Sequence, residues 1–161
     1  LKRSSAPFNV LATQVWFTPY RYSEAPGEPV LNLDSWDGYP SARQNLSDLL
    51  ADDISNPVFL TGDWHTAMAS TLYQKPFDTA SRRIGHELVG SSISSGCPWA
   101  RDMEMVRDQN PHVAHLNGRQ RGYLRTTFTN DTCSAEFRVV ADAGRADSPV
   151  LTDVELRTRD L

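Results

Sequence analysis

Lysine is almost absent from this sequence of 161 residues. Only Lys2 and Lys75 are lysines among its 16 cationic residues, and the others are arginines. Acidic residues number 20, so the formal net charge is −4, which excludes the broad basic surface that nucleic-acid binding needs. We therefore expect no nucleic-acid partner. The arginines suit bidentate contacts with carboxylate or phosphate groups, although a compositional bias of the genome explains the same skew.

Long apolar runs are also lacking. No stretch approaches the roughly 18–20 apolar residues of a transmembrane helix, and no signal peptide is visible. The first residue is Leu1 rather than methionine. We therefore expect that the chain has lost its natural start. The missing targeting signal then says little about where the protein is located.

Cysteine is scarce, with Cys97 and Cys133 as the two examples. In an exported protein they would form one disulfide, whereas two buried thiols are the alternative, and the sequence leaves both interpretations open. The composition of 39% hydrophobic and 22% charged residues is typical of a globular domain. The length is sufficient for one domain with a sizeable core.

The first half of the chain alternates between strand and helix signals. The segment FNVLATQVWF, from Phe8 to Phe17, predicts a buried strand. Ser41 and Gln44 then have the spacing of a capping box, and apolar residues repeat with helical spacing through Leu50. The segment NPVFL predicts a second strand. This order of strand, helix and strand predicts an α/β unit.

The second half predicts mainly strands. The segments HELVG, RGYLRTTFT and CSAEFRVV have strand-like composition, and the last two read as a hydrogen-bonded pair. Ala135, Phe137 and Val139 alternate with polar residues, as a half-buried antiparallel strand requires. The segment ARDMEMVRDQN predicts a short helix that ends before Pro111.

The segment NPVFLTGDWHTA places an acid and a histidine at the end of a strand. The apolar run ends at Gly62, and Asp63 and His65 follow at i and i+2, where an extended backbone directs both side chains the same way. A carboxylate and an imidazole that converge are typical of a metal site, and ligands of open α/β sheets bind at the carboxyl ends of strands. A capping acid beside a loop histidine is the competing interpretation.

Other candidate residues each have two interpretations. Trp36 either packs on the core or lines the mouth of a pocket. Arg121 opens a strand after a glycine-containing turn, where it either reaches a phosphate or forms a salt bridge. His112 and His115 lie three residues apart, but Pro111 favours a loop, which argues against a shared metal.

Taken in order, several blocks resemble the alkaline phosphatase D (PhoD-like) metallophosphoesterases. They span about Phe8 to Val140 and read FNVLATQVWF, LDSWDGYPSARQNL, NPVFLTGDWHTA, LVGSSISSG, NPHVAHLNGRQRGY and AEFRVV. The resemblance implies the α/β class and part of a four-layer α/β/β/α sandwich. The last metal motif of the superfamily is Gly-His-x-His, and PhoD-like members carry an acid in place of the first histidine, as GDWH does here. By resemblance, Asp63 and His65 are the catalytic metal ligands.

The implied reaction is hydrolysis of a phosphoric ester by metal-activated water, with iron and calcium as the expected metals. Arg121, Trp36 and Gln14 are expected to contact the substrate. Aromatic residues near the predicted site favour a phosphodiester, as in the phospholipase D branch, over an alkaline phosphomonoester. These residues are Trp36, Tyr39, Trp64 and Trp99. A non-catalytic, calcium-stabilised binding module is the alternative from another functional class.

The amino-terminal metal motifs of the superfamily are absent from the sequence. Residues 1–161 therefore resemble the carboxyl-terminal part of a PhoD-like catalytic domain. We expect an exported enzyme in which an amino-terminal chain or segment supplies the remaining ligands, with no activity from this chain alone. The substrates expected by resemblance are phosphate esters, phospholipids among them. A disulfide between Cys97 and Cys133 would fasten the loop after SSISSG to the last strands.

Overall fold

The structure, a computed structural model, describes residues 4–22 and 29–160. Its helices and strands are, in chain order, β1 (Asn9–Thr13), α1 (Pro40–Asp53), β2 (Pro57–Thr61), β3 (Ala67–Tyr73), β4 (Arg83–Val89), α2 (Ala100–Met105), β5 (Val113–Asn117), β6 (Arg121–Phe128), β7 (Cys133–Val140) and β8 (Val150–Arg157). Across those ranges, no helix is long and apolar enough to cross a membrane.

The first sheet has the strand order β1-β2-β4-β3-β5. β1 is parallel to β2 and β2 is parallel to β4, whereas β3 is antiparallel to both of its neighbours. Helix α1 connects β1 to β2, so the predicted α/β unit is confirmed. Thr13 and Thr61 are partners at the last position of their strands. The parallel register therefore brings the segments after β1 and β2 to one edge of the sheet.

Two predicted boundaries in this unit are wrong. β1 ends at Thr13, and Phe17 lies in the following loop although its side chain is buried. Helix α1 begins at Pro40, whose fixed φ suits the first helical turn. Its N-cap residue is Tyr39, which makes no side-chain cap, so the predicted capping box does not form. Gln44 instead donates a hydrogen bond of 2.9 Å to Asp48 Oδ1 one turn later.

The second sheet contains β6, β7 and β8 in that order, all antiparallel. The predicted pairing of β6 with β7 is confirmed. Phe137 of β7 packs with Val58 of β2 and Leu88 of β4, so the second sheet covers one face of the first. On the opposite face, Leu50 of α1 packs with Phe59 of β2. The α/β class is confirmed, with three successive layers of helix, sheet and sheet.

A third apolar cluster lies beside α2. Met103 of α2 packs with Trp16, Tyr20 and Met68, and the Tyr20 hydroxyl donates a hydrogen bond of 2.7 Å to the Met103 carbonyl. Trp16 and Tyr20 belong to the loop after β1, and Trp16 lies within the segment that we predicted to be strand. Burial of these large side chains fixes the loop although it has no sheet hydrogen bonds.

The segment after Pro111 is a strand and not the loop that we predicted. β5 pairs with β3, and this partner, which the sequence pattern did not reveal, overrides the local turn signal. His115 lies in β5, and its Nε2 is 3.1 Å from Asp153 Oδ2 of β8. His112 is buried, and its Nε2 is 2.7 Å from the Pro19 carbonyl. The two histidines therefore have separate partners.

Candidate functional site

Residues 62–65 form a tight turn directly after β2. The Trp64 N–H donates a hydrogen bond of 2.8 Å to the Gly62 carbonyl, which closes a three-residue turn centred on Asp63. Asp63 has a φ of 65° and His65 a φ of 56°. The predicted extended backbone is therefore wrong at this point. Left-handed conformations cost non-glycine residues roughly 1–2 kcal/mol each, and they concentrate at functional sites.

Asp63 lies beside Gln14 at the carboxyl ends of the parallel strands. The two residues line a cleft of about 450 Å³ together with Thr13, Val15 and Gly62. Both are exposed, and the Thr13 and Thr61 hydroxyls lie 2.9 Å apart beneath them. A carboxylate and an amide at this edge can bind a cation or a polar ligand from solvent. The structure thus brings together two of the residues that we singled out.

The imidazole of His65 is oriented by two neighbours. Its Nδ1 lies 2.9 Å from the Gly96 carbonyl oxygen, and its ring stacks on Trp99 with 6.0 Å between ring centroids. A carbonyl accepts but cannot donate, so Nδ1 carries the hydrogen in this contact. The lone pair of the neutral ring is then on Nε2, the arrangement that metal-binding histidines commonly use.

Arg121 is buried and contacts backbone and hydroxyl groups. Its Nη1 donates to the carbonyls of His65 and Ser95 and to the Ser92 hydroxyl, at 2.9, 2.6 and 2.8 Å. Its Nη2 donates to the Gly118 carbonyl at 2.5 Å. Burial lowers the pKa of the Arg121 guanidinium. No ion pair with a carboxylate forms in the described residues, and the predicted contact with a phosphate stays a prediction.

Trp36 occupies a different part of the fold. It begins a short 3₁₀ turn before α1, and its ring packs edge-on against Phe17 with 5.2 Å between centroids. Both rings belong to the apolar cluster around α1. In the described ranges, no hydrogen bond or ring contact joins Trp36 to Asp63 or His65. This position favours core packing, and the predicted contact of Trp36 with substrate stays a prediction.

The predicted disulfide is not formed, since Cys97 and Cys133 are both free thiols. Cys97 lies against Gly118, which precedes β6, whereas Cys133 is paired with Phe128 at the far end of that strand. β6 has eight residues, so the two cysteines are separated by roughly 20 Å of strand. A disulfide requires Cα atoms about 4–7 Å apart.

An aromatic cleft adjoins the turn. It has a volume of about 230 Å³ and is lined by Tyr22, Val30, Leu31, Asn32, Trp64 and Trp99. The ring centroids of Trp64 and Trp99 lie 5.6 Å apart. The buried Nε1 of Trp99 has no hydrogen-bond partner among the residues that the structure describes. Trp99 also stacks on the His65 ring, so the cleft adjoins the histidine, whereas Asp63 lines the separate cleft that it shares with Gln14.

Sequence reasoning missed Glu87, which is fully buried in β4. Its carboxylate accepts hydrogen bonds from the Phe17 and Thr18 N–H groups, at 2.8 and 2.7 Å, and from the Thr61 hydroxyl at 2.7 Å. Burial raises the pKa of Glu87, and these three donors oppose that rise. The carboxylate therefore fastens the loop that carries Gln14 to the end of β2. An acid within an apolar strand was the signal available in the sequence.

A metal ion fits this edge only in part. Asp63 offers an oxygen donor and His65 a nitrogen donor, a combination that suits transition metals. Within residues 4–22 and 29–160, no three histidine, cysteine, aspartate or glutamate side chains lie close enough together to hold a metal ion. The described part of the chain can therefore provide some ligands of a metal centre and not a complete set.

Comparison with known proteins gives consistent matches. The family model described as PhoD-like phosphatase matches residues 1–137. Alkaline phosphatase D of Bacillus subtilis (strain 168) is 37% identical over 144 residues, which are 87% of this chain and 24% of that protein. A solved structure of PhoD superposes with a TM-score of 0.85 at 29% identity, covering 97% of this chain and 30% of that one. The chain thus spans about a quarter of the length of the curated relative.

Proposed function

The chain belongs to the PhoD-like phosphatase family, and from this premise we propose that it is the part of a metal-dependent phosphoric ester hydrolase that contributes Asp63 and His65 to the metal centre. The observation that carries the proposal is the turn 62–65. Both residues adopt a left-handed backbone at the carboxyl end of β2. Strain held at two potential ligands in one short turn supports a functional role better than a capping role.

The two ligands have different tasks in this proposal. Asp63 presents a hard oxygen donor to the cleft that it shares with Gln14, and His65 presents Nε2 while Gly96 holds Nδ1. When bound, the metal ions polarise the phosphoryl group and lower the pKa of a water molecule. Iron and calcium are the metals that we propose, since carboxylate oxygens suit both and an imidazole suits iron. We propose that Gln14, which lines the same cleft, forms a hydrogen bond with a phosphoryl oxygen.

The substrate that we propose is a phosphodiester, phospholipids included. The aromatic cleft beside Trp64 supports this choice, because a diester has a second organic group that needs a binding surface. A phosphomonoester lacks that group. Hydrolysis of phosphomonoesters is the alternative, and the name of the Bacillus relative, alkaline phosphatase D, supports it. Membership in a phosphatase family favours either reaction over a calcium-stabilised binding module.

The remaining metal ligands come, in this proposal, from an amino-terminal chain or segment of the same enzyme. The incomplete ligand set of the described residues supports this. Residues 1–161 would then be the carboxyl-terminal part of one catalytic domain, inactive by themselves. We also propose that the enzyme is exported. Outside the cytoplasm, phosphodiesters of membranes and cell surfaces would be accessible to it.

The test measures the rate at which the whole protein hydrolyses two phosphate esters in the presence of different metal ions. Metal-free protein is assayed with iron, calcium or both, against bis(4-nitrophenyl) phosphate and 4-nitrophenyl phosphate. We expect faster hydrolysis of the diester, and a loss of about 10²-fold or more in an Asp63→Asn variant that still folds. The matched control is Asp131→Asn in the β6–β7 turn, which should keep full activity. Full activity of Asp63→Asn would refute the metal role, and preference for the monoester would favour the alternative.

A further inference from the structure

We infer that Arg121 is a positioning residue that fixes the orientation of the His65 imidazole, and is not a ligand of the phosphate group. The inference rests on the proposed function only in treating His65 as a metal ligand. Its basis is a ring of contacts. Arg121 donates to the His65 carbonyl, the His65 ring contacts the Gly96 carbonyl, and Arg121 also donates to the carbonyl of Ser95, the residue before Gly96. Three separate segments meet there, namely the turn after β2, the loop after β4 and the turn before β6.

The first link holds the backbone of His65. Arg121 Nη1 donates a hydrogen bond of 2.9 Å to the His65 carbonyl oxygen. This carbonyl belongs to a residue with a φ of 56°, so the bond stabilises a backbone conformation that has a cost of its own. Loss of the bond would allow the turn to relax, and the imidazole would move with it.

The second link holds the partner of the imidazole. Nη1 also donates to the Ser95 carbonyl at 2.6 Å and to the Ser92 hydroxyl at 2.8 Å. The next residue, Gly96, provides the carbonyl that lies 2.9 Å from His65 Nδ1. Arg121 thus holds both the backbone of the histidine and the peptide unit next to its hydrogen-bond acceptor. The position and the tautomer of the ring are fixed together.

The guanidinium suits this task for a physical reason. It is planar and presents five N–H donors in a fixed fork, so one side chain can join several acceptors at defined angles. Arg121 is only 6% exposed, and its four acceptors are three carbonyls and one hydroxyl. To reach a phosphate group, it would have to give up charge-assisted hydrogen bonds inside the protein. A lysine at this position would keep the positive charge but would lack the planar set of donors that joins these acceptors.

The test uses the whole protein labelled with ¹⁵N in its histidine rings. We expect His65 to populate the tautomer with the hydrogen on Nδ1, which the ring nitrogen shifts report. In Arg121→Lys, a mixture of both tautomers is expected. The matched control is Arg119→Lys, because Arg119 is exposed and pairs with Glu104. A His65→Gln variant assigns the signal of His65 among the histidines of the protein.

Metal binding provides the second measurement, with Zn²⁺ as the probe. We expect Arg121→Lys to weaken Zn²⁺ binding by about 10- to 100-fold, the usual range for groups that orient a ligand. In a His65→Gln background, the same substitution should have no further effect, because its influence passes through His65. If Arg121→Lys does not fold, Ser92→Ala removes one of the four acceptors and should shift the tautomers in the same direction.

Two outcomes separate this inference from the proposed function. Unchanged His65 tautomers in Arg121→Lys, with a raised KM for the phosphate ester, would overturn the inference and restore the contact with substrate. A changed tautomer together with Zn²⁺ binding that is insensitive to His65→Gln would support the positioning role of Arg121 and contradict the proposed metal role of His65.

Discussion

The Phe17 N–H donates a hydrogen bond of 2.8 Å to a carboxylate oxygen of Glu87, 70 residues later in the chain. Thr18 and Thr61 donate to the same carboxylate. One buried acid in β4 thus fixes the loop after β1 against the end of β2. The cleft between Gln14 and Asp63 depends on this connection, because each of these residues follows one of the two strands that the acid holds.

Replacement of Glu87 should therefore destabilise the protein. In Glu87→Gln, the amide NH₂ would face one of the two backbone N–H groups, which leaves a buried donor without an acceptor. We expect a loss of about 1–3 kcal/mol in the free energy of unfolding, measured with urea. The exposed Glu155 of β8 offers the control Glu155→Gln, which should change stability very little. Equal effects of the two variants would contradict the anchoring role.

His86 should make the protein less stable in mild acid. Burial, together with the nearby Arg83 cation, lowers the pKa of His86 to about 4. The unfolded chain binds a proton at this histidine near pH 6.5, whereas the folded chain does not, so stability falls as pH falls from about 6.5 to 4. The loss at pH 5 amounts to at most about 2 kcal/mol from this group.

The measurement compares unfolding by urea at pH 7 and pH 5 in the wild-type protein and in His86→Gln. The variant cannot take up this proton, so its stability should decrease less between the two pH values. Burial also lowers the pKa values of His112 and His115, which will leave part of the acid sensitivity in place. An identical decrease in both proteins would show that His86 does not contribute.

The aromatic cleft should determine how well bulky diesters bind. We expect Trp99→Ala to raise the KM for bis(4-nitrophenyl) phosphate by about tenfold, and to affect methyl 4-nitrophenyl phosphate much less. Trp99→Phe keeps a ring beside His65 and should retain most of the binding. Trp36→Phe, outside the cleft, should leave both KM values unchanged. A uniform rise of KM for both esters in Trp99→Ala would argue against a subsite for the second group.

Both thiols should be available for alkylation without a reducing agent. Cys97 is half-buried and should react first with iodoacetamide under native conditions. Cys133 is 1% exposed, and burial raises the pKa of its thiol to about 11, so it should react only after unfolding. Mass spectrometry of the unfolded, unreduced protein should show two added groups. An unmodified protein under these conditions would indicate a disulfide.

Local pattern was sufficient for much of the fold. The repeat of apolar residues predicted α1, the alternation in CSAEFRVV predicted β7, and a strand–helix–strand order predicted the parallel unit. These features depend on interactions between residues close in sequence, which a local pattern records. The end of β2 was located correctly for the same reason, since Gly62 interrupts an apolar run, although the extended backbone predicted for Asp63 and His65 is wrong.

The sequence by itself determined which residues have the chemistry for a metal site, and only the tertiary structure decided what surrounds them. Residues 113–117 form the strand β5 because they pair with β3. Arg121 is enclosed because carbonyl groups of three separate segments accept its hydrogen bonds. Glu87 is an anchor because chain closure over 70 residues places two N–H groups on it. Such contacts are set by packing between remote segments, and no local pattern encodes them.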